Sequence, residues 1–291
     1  MSSERVCACR CENDSSMKKT LRLLSVLAAL GFSSGASLAQ VLMLDFGPTP
    51  VSGSNQINSP YHTAVPSFSG SNWNQIQVTD VTSGLLYGDG SATSGLNLNI
   101  GATTTATTSS STFVLTNAPS GNTALGTLTN TGVYAGTSVG TDGIFTSSAG
   151  NARAVGFQLT GLAAGTYDVY VTARNTSSNA NYTQTAFVGT SAVGNFALNG
   201  AGMTAETLSF ASAATATSSW IEDANYLKFT VTLTAGSGLN VATLGGGGEV
   251  RGFLNSVQIV AVPEPAIPVM LGVAAVLFGF RRRTGRAGFL S

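Results

Sequence analysis

The chain has 291 residues, of which 9 % are charged, 43 % are hydrophobic and 35 are glycine. So few charges argue against an ordinary cytosolic enzyme, in which roughly a quarter of the residues are charged. The hydrophobic fraction argues against a solvated disordered chain. The composition therefore indicates an exported protein rich in small polar residues.

Basic residues concentrate near the two ends, so the formal net charge of zero hides an acidic middle. Nine of the 13 Lys and Arg residues lie before residue 23 or after residue 280. Residues 40–260 contain four basic and nine acidic residues, a net charge of −5. Because nucleic-acid binding depends on clustered Lys and Arg, we expect no nucleic-acid partner.

The N-terminal residues carry an export signal. From Met17 a cationic start, an apolar run and a group of small residues follow one another. This order predicts a signal peptide over residues 17–39, cleaved between Ala39 and Gln40. Residues 1–16 are interpreted as a wrongly assigned extension, which leaves Met1 and Met17 open as the true start. All three cysteines lie in that extension, so the mature protein is expected to have neither a disulfide nor a thiol nucleophile.

Residues 40–260 are predicted to form one all-β ectodomain. About ten segments alternate apolar and polar residues between Gly, Asn, Ser and Thr, which indicates strands with one face buried. The segments are 41–46, 76–81, 96–100, 112–115, 154–159, 167–173, 182–188, 226–233, 239–244 and 253–260. This number of short strands, without a convincing amphipathic helix, predicts a single β-sandwich of the jelly-roll kind.

One turn and strand strengthen the jelly-roll prediction. Residues 159–171 read LTGLAAGTYDVYV, in which a turn bounded by Gly161 and Gly165 leads into an alternating strand. The stretch resembles the turn and strand of galactose-binding-like and malectin-like jelly rolls. The last strand, residues 252–260, resembles the closing strand of ectodomains that carry the C-terminal signal described below. These resemblances imply a fold and no activity.

Aromatic residues beside polar loops are the candidate ligand-binding residues. Trp73, Tyr87 and Trp220 each lie among Asn, Ser, Gly or Asp, and such rings can stack on the apolar face of a sugar. The alternative is that Trp73 and Trp220 belong to the core at an edge of the sandwich.

No cofactor is expected, and calcium is the only metal that the residues suggest. Asp45, Asp80 and Asp89 could converge with backbone carbonyls on Ca²⁺, which takes six to eight oxygen ligands. The sequence contains no calcium-binding loop motif, so this site is kept as a weak alternative.

The ectodomain offers little catalytic chemistry, and we expect it not to be an enzyme. His62 is the single histidine, and no Gly-x-Ser-x-Gly motif accompanies it, so neither a serine triad nor a zinc site is indicated. A carbohydrate hydrolase that uses carboxylates remains the alternative. Its candidate acids are Asp45, Asp80, Asp89, Glu222 and Asp223.

Residues 261–291 contain a second targeting signal. A short motif is followed by an apolar run at 266–280 and a basic cluster; the motif is Val262-Pro263-Glu264-Pro265 and the cluster is Arg281, Arg282 and Arg283. The run of 15 residues is short beside the roughly 20 of a typical membrane span, and the arginines would keep the tail on the cytoplasmic side. The Pro-Glu-Pro segment is extended and rigid, because proline restricts both itself and the preceding residue.

This arrangement resembles the PEP-CTERM sorting signal of Gram-negative bacteria. The resemblance implies recognition by exosortase, a membrane-embedded cysteine transpeptidase or protease, after transient insertion of the tail in the inner membrane. We therefore expect an exported protein of the cell surface or extracellular matrix, with a structural role or a role in contacting exopolysaccharide in a biofilm. An adhesin for another surface protein is a further alternative.

Overall fold

The computed structural model describes residues 40–104, 111–117, 119, 121–123, 130–146 and 152–263. The predicted signal peptide and the sorting segment from Glu264 onward lie outside these residues. The described strands are β1 (Val41–Phe46), β2 (Asn74–Ile76), β3 (Asn97–Ala102), β4 (Thr112–Phe113), β5 (Gly121–Thr123), β6 (Gly143–Phe145), β7 (Val155–Thr160), β8 (Gly165–Thr172), β9 (Tyr182–Ala192), β10 (Phe196–Ala197), β11 (Met203–Phe210), β12 (Leu227–Leu233), β13 (Ser237–Gly246), β14 (Phe253–Leu254) and β15 (Ser256–Ala261). Helix α1 spans Pro60–Ala64, and 3-10 turns span Gly53–Ile57, Gly132–Tyr134 and Ala213–Thr215.

Ten of these strands form two five-stranded sheets. The first sheet has the order β12-β8-β15-β1-β2 and is antiparallel except between β1 and β2. The second sheet has the order β11-β9-β13-β7-β3 and is antiparallel throughout. Neighbours in each sheet are distant in sequence, so side chains from the whole ectodomain meet across the strands.

The two sheets enclose the main apolar core. Alternate residues of the first sheet, such as Leu44 and Val169, pack in one cluster with residues of the second sheet, such as Phe157 and Val241. The rings of Phe46 and Phe157 stack at a centroid distance of 5.6 Å within this cluster. The predicted all-β sandwich is therefore confirmed.

The outer face of the first sheet is also buried, which the prediction of one buried face per strand did not include. Val41, Met43, Tyr170 and Val260 point away from the main core into a second apolar cluster. Segments between the strands cover this face, and they contribute Val51, Tyr61, Val133, Tyr134 and Trp220. We call this second cluster, with the segments that build it, the outer layer.

A smaller apolar cluster covers part of the second sheet. Phe187 and Ala242 pack there against Phe113 and Phe196 of the β4–β10 pair. Beside it, the buried Gln158 donates to Asn240, so this polar pair on the outer face is satisfied within the sheet. The described parts of all three clusters lie between residues 41 and 261, within the compact unit Ala39–Pro263.

Most predicted strands form close to their predicted bounds, but β5, β6, β10 and β11 were not predicted, and the predicted segment 253–260 divides into β14 and β15. The segment at 76–81 is a strand only up to Ile76, since β2 begins and ends earlier than predicted. Strand β11 was not predicted, because most of its residues are exposed and polar or small. The first two glycines of the run at 245–248 continue β13 and pair with β9.

Candidate functional site

A cleft of about 300 Å³ opens at one end of the sandwich beside Tyr87. Its floor is apolar and comes from the first sheet, and its rim carries polar groups and small residues. The lining residues used below are Gln40, Leu42, Tyr87, Ser94, Tyr167 and Ile259. We call this space the Tyr87 cleft.

A tight turn holds Tyr87 at the cleft. Its backbone N–H donates to Ser91 O at 2.9 Å, and Gly90 N–H donates back to Tyr87 O at 2.8 Å. Gly90 has a φ of +85°, which favours glycine. Asp89 stabilises the same turn, because its Oδ1 accepts both the backbone N–H and the hydroxyl of Ser91. The ring is half-buried and packs on the main core.

The opposite wall is the predicted Gly161–Gly165 turn and the start of β8. Tyr167 donates its hydroxyl to Ala163 O at 2.8 Å, which fixes the phenol against the turn. Burial raises the pKa of Tyr87, and the charge of Asp89 raises it further. Burial also raises the pKa of Tyr167. Both phenols are therefore neutral at physiological pH. The Tyr87 hydroxyl can donate to a ligand, whereas the Tyr167 hydroxyl already donates to Ala163 O and can only accept from one.

The two tryptophans lie in the outer layer. Trp220 is only 3 % exposed, so its ring lies in the core, which is the alternative that the sequence left open for this residue. Its indole N–H donates to Asn58 Oδ1 at 3.1 Å. Trp73 is half-buried against the same cluster, and its indole N–H donates to Gln56 O at 3.0 Å. The structure places neither ring in the Tyr87 cleft.

The three acids of the predicted calcium site are held in different surroundings. Asp45 is buried under the outer layer, Asp80 accepts the N–H of Ile100 at 2.7 Å, and Asp89 lies in the exposed turn after Tyr87. Among the described residues, no three His, Cys, Asp or Glu side chains come close enough to share a metal. The sequence could not show whether the three acids come together, because they lie on different loops and strands.

Asp45 instead meets a carboxylate that the sequence did not single out. Asp142 is 1 % exposed, as is Asp45, and its charge acts on Asp45. Burial and that charge raise the pKa of Asp45 well above its usual range, and burial raises the pKa of Asp142 to about 6. No short motif joins two residues so far apart in sequence, which is why the pair could not be predicted.

The other titratable residues singled out from the sequence do not line the Tyr87 cleft. Glu222 and Asp223 lie in an exposed turn before β12 and not on a strand, and Asp223 has a φ of +60°. His62 is buried in α1, with its Nδ1 at 2.6 Å from Ser59 Oγ and its Nε2 at 2.8 Å from Gly70 O. Burial lowers the pKa of His62. Both ring nitrogens are thus engaged in holding the outer layer.

The two ends of the ectodomain meet beside the Tyr87 cleft. Ala261 N–H donates to Gln40 O at 3.1 Å, and Val262 N–H donates to Thr166 O at 2.9 Å. Val262 and Pro263 are exposed after β15. Ala39, Glu264, Pro265, Arg281, Arg282 and Arg283 lie outside the described residues. Within the part that is described, no helix is long and apolar enough to cross a membrane.

Comparison with known proteins gives distant structural likeness alone. No family model and no curated protein matches the chain. A solved structure of protein YxiM from Bacillus subtilis is similar at 15 % identity with a TM-score of 0.31. The match covers 77 % of this chain and 40 % of the YxiM chain.

Proposed function

We propose that this chain is an exported, exosortase-sorted β-sandwich of the cell surface or extracellular matrix, and that it contacts carbohydrate without catalysis through the Tyr87 cleft. The two terminal sequence signals support export and sorting. The shape and chemistry of the cleft support contact with a sugar. The two parts of the proposal can be tested separately.

The observation that carries the sugar-binding part is the composition of the cleft. Leu42 and Ile259 provide an apolar floor, while Tyr87 adds an aromatic ring and Gln40 and Ser94 add polar groups. A pyranose presents one apolar face and a periphery of hydroxyls, so a half-buried tyrosine over such a floor fits it. Small-ligand sites are commonly concave and apolar with a few polar groups that fix orientation.

The acid residues give the hydrolase alternative less support. Glycosidases place two carboxyl groups roughly 5 to 10 Å apart on either side of the bond that is cut. Asp89, two residues after Tyr87, accepts two hydrogen bonds within its own turn. Asp168, next to Tyr167, pairs with Lys228. Asp45 and Asp142 are buried from solvent. We therefore propose binding without turnover.

Binding is tested with the purified ectodomain, residues 40–263, and the host's exopolysaccharide. We expect Tyr87→Ala to weaken retention on immobilised polysaccharide at least tenfold, because it removes the ring and its hydroxyl. Tyr87→Phe should weaken it by less, since the ring remains. Tyr182→Ala, which changes a half-buried tyrosine of the second sheet, is the matched control and should bind like the parent protein.

Two results would contradict this proposal. Equal retention of the parent and Tyr87→Ala proteins would remove the cleft from the sugar contact. Release of reducing sugar by the parent protein, abolished by neutralising one acid, would establish the hydrolase. Far-ultraviolet circular dichroism of each variant separates loss of binding from loss of fold.

A further inference from the structure

Two buried carboxylates under the outer layer each keep one oxygen without a partner. Asp45 Oδ2 accepts Val51 N–H at 3.1 Å, and Asp142 Oδ2 accepts Thr49 N–H at 2.6 Å. The Oδ1 atoms of Asp45 and Asp142 accept no hydrogen bond from any residue in the described ranges. Buried polar atoms in folded proteins almost always have a partner, so these two oxygens point to a group that binds there.

A third buried oxygen without a partner lies along the same row of the first sheet. Ser256 is opposite Asp45 on β1 and opposite Thr172 on β8, so the three side chains share the outer face. Thr172 is completely buried, and its Oγ1 has no hydrogen-bond partner. This observation is independent of the two acids, and it places a further unsatisfied oxygen on β8, two strands away from Asp45.

Among the residues that the structure describes, no cationic side chain acts on either acid. Burial is the largest influence on both carboxyl groups, and the only charged neighbour that acts on Asp45 is Asp142. Two adjacent carboxylates cannot both stay ionised in a low-dielectric interior without a positive charge. The buried guanidinium of Arg174 lies over the Tyr134 ring, 4.1 Å from its centroid, and it is not among the groups that act on either acid.

We propose that Asp45 and Asp142 bind one hard divalent cation of the Ca²⁺ type through their free Oδ1 atoms. The unsatisfied acceptors of this row are oxygens, and in the described part of the chain no His or Cys side chain is grouped with the pair, which favours calcium over zinc or copper. The other ligand positions fall to water and backbone carbonyls, because two side chains supply fewer than the six to eight oxygens that calcium takes. This pair differs from the predicted set, with which it shares only Asp45.

The cation would fasten the loop after β1 to the first sheet. Gly47 has a φ of +130°, and a Cβ there would lie 2.5 Å from Asp142 Cγ. The backbone therefore passes directly over the carboxylate and brings the N–H groups of Thr49 and Val51 to the two acids. A bound ion would hold both carboxylates in the charged form that accepts these bonds best.

Thermal unfolding of the ectodomain at pH 7.5 tests this site, with CaCl₂ compared against EDTA. At a calcium concentration about one hundred times the dissociation constant, the Tm of the parent protein should rise by about 5 to 10 °C. Asp45→Asn and Asp142→Asn should each lose this rise. Glu222→Gln, which changes an exposed acid, is the control and should keep it. MgCl₂ should produce a smaller shift.

Calorimetric titration of the parent protein with CaCl₂ provides the second measurement, with an expected stoichiometry of one. Absence of both binding heat and a Tm shift in the folded parent protein would overturn the proposal, whether or not the variants fold. A calcium-dependent rise that persists in both Asn variants would also overturn it, since the ion would then bind elsewhere. Asn variants that melt higher than the parent in EDTA and in calcium alike would identify a pair that is neutralised by protons.

Discussion

Trp220 donates its indole N–H to Oδ1 of Asn58 at 3.1 Å, and the two residues are 162 positions apart in sequence. The bond joins the segment that follows β1 to the segment that precedes β12. Both segments cover the outer face of the first sheet, where the Trp220 ring also meets Tyr134 edge-on at a centroid distance of 5.9 Å. The outer layer is therefore built by long-range contacts between connecting segments and does not follow from any one of them.

Asn58→Ala should lower the free energy of unfolding by about 1 to 3 kcal/mol, because the buried indole N–H loses its acceptor. Denaturant unfolding measures the loss. Asn55→Ala is the matched control in the same segment, since the Asn55 side chain makes a single long hydrogen bond of 3.5 Å, to Thr137 Oγ1, and its cost should stay near zero. In a Trp220→Phe background the cost of Asn58→Ala should shrink, because the donor is gone. An unchanged cost in that background would contradict the assigned bond.

Gly161→Ala should destabilise the sandwich by about 3 kcal/mol or more. Gly161 has a φ of +89°, and a Cβ there would lie 2.1 Å from Gly95 O, so the change combines backbone strain with a collision. Gly84 has a similar φ of +82° with no atom within 4 Å of its Cβ position. Gly84→Ala is therefore a control for strain alone and should cost about 1 kcal/mol. Equal unfolding midpoints for the two variants would show that the close approach is absent.

The buried acids make stability fall as pH rises in EDTA. The pKa of Asp142 is about 6 when folded and 3.8 when free, so the folded state holds the proton more tightly. Its contribution is complete below pH 4 and is lost as pH rises through 6, by up to about 3 kcal/mol. Asp142→Asn should therefore gain up to this amount relative to the parent protein between pH 4 and 7.

The quantity to measure is the difference in the free energy of unfolding between Asp142→Asn and the parent protein. Denaturant unfolding at each pH gives this difference. Burial lowers the pKa of His62, so the contribution of that residue increases with pH and would mask the effect in the parent protein alone. Because both proteins contain His62, its effect cancels in the difference. A difference that stays constant from pH 4 to 7 would show that Asp142 is not held in a buried site.

The sandwich was predictable because apolar residues alternate with polar ones along many strands, which marks the face that each sheet buries. Tyr167, Val169 and Val171 alternate with polar residues, and the structure places them in the main core as predicted. Strand β1 is apolar on both faces, which is typical of a strand covered on both sides, yet alternation alone did not reveal its outer cover. Strand β11 lies at a sheet edge and buries little, so its sequence carried no apolar period.

The candidate sites were less predictable, for a geometric reason. Tyr87 was found because its turn is local, with Gly88 and Gly90 on either side of Asp89. Asp142 was not found, since its partner Asp45 is brought to it only when the outer layer forms. Trp220 resembled a ligand-binding residue because polar residues surround it in sequence, whereas in the structure its neighbours come from distant segments.

The most direct test of the proposed function is the intact mass of the mature protein from its native host, in cell envelope and culture medium. We predict a chain that begins at Gln40 and ends near Pro265, with or without an added group, as export and sorting at the Pro-Glu-Pro motif require. A chain that still carries residues 17–39 and extends to Ser291 in the cytoplasm would contradict the proposal.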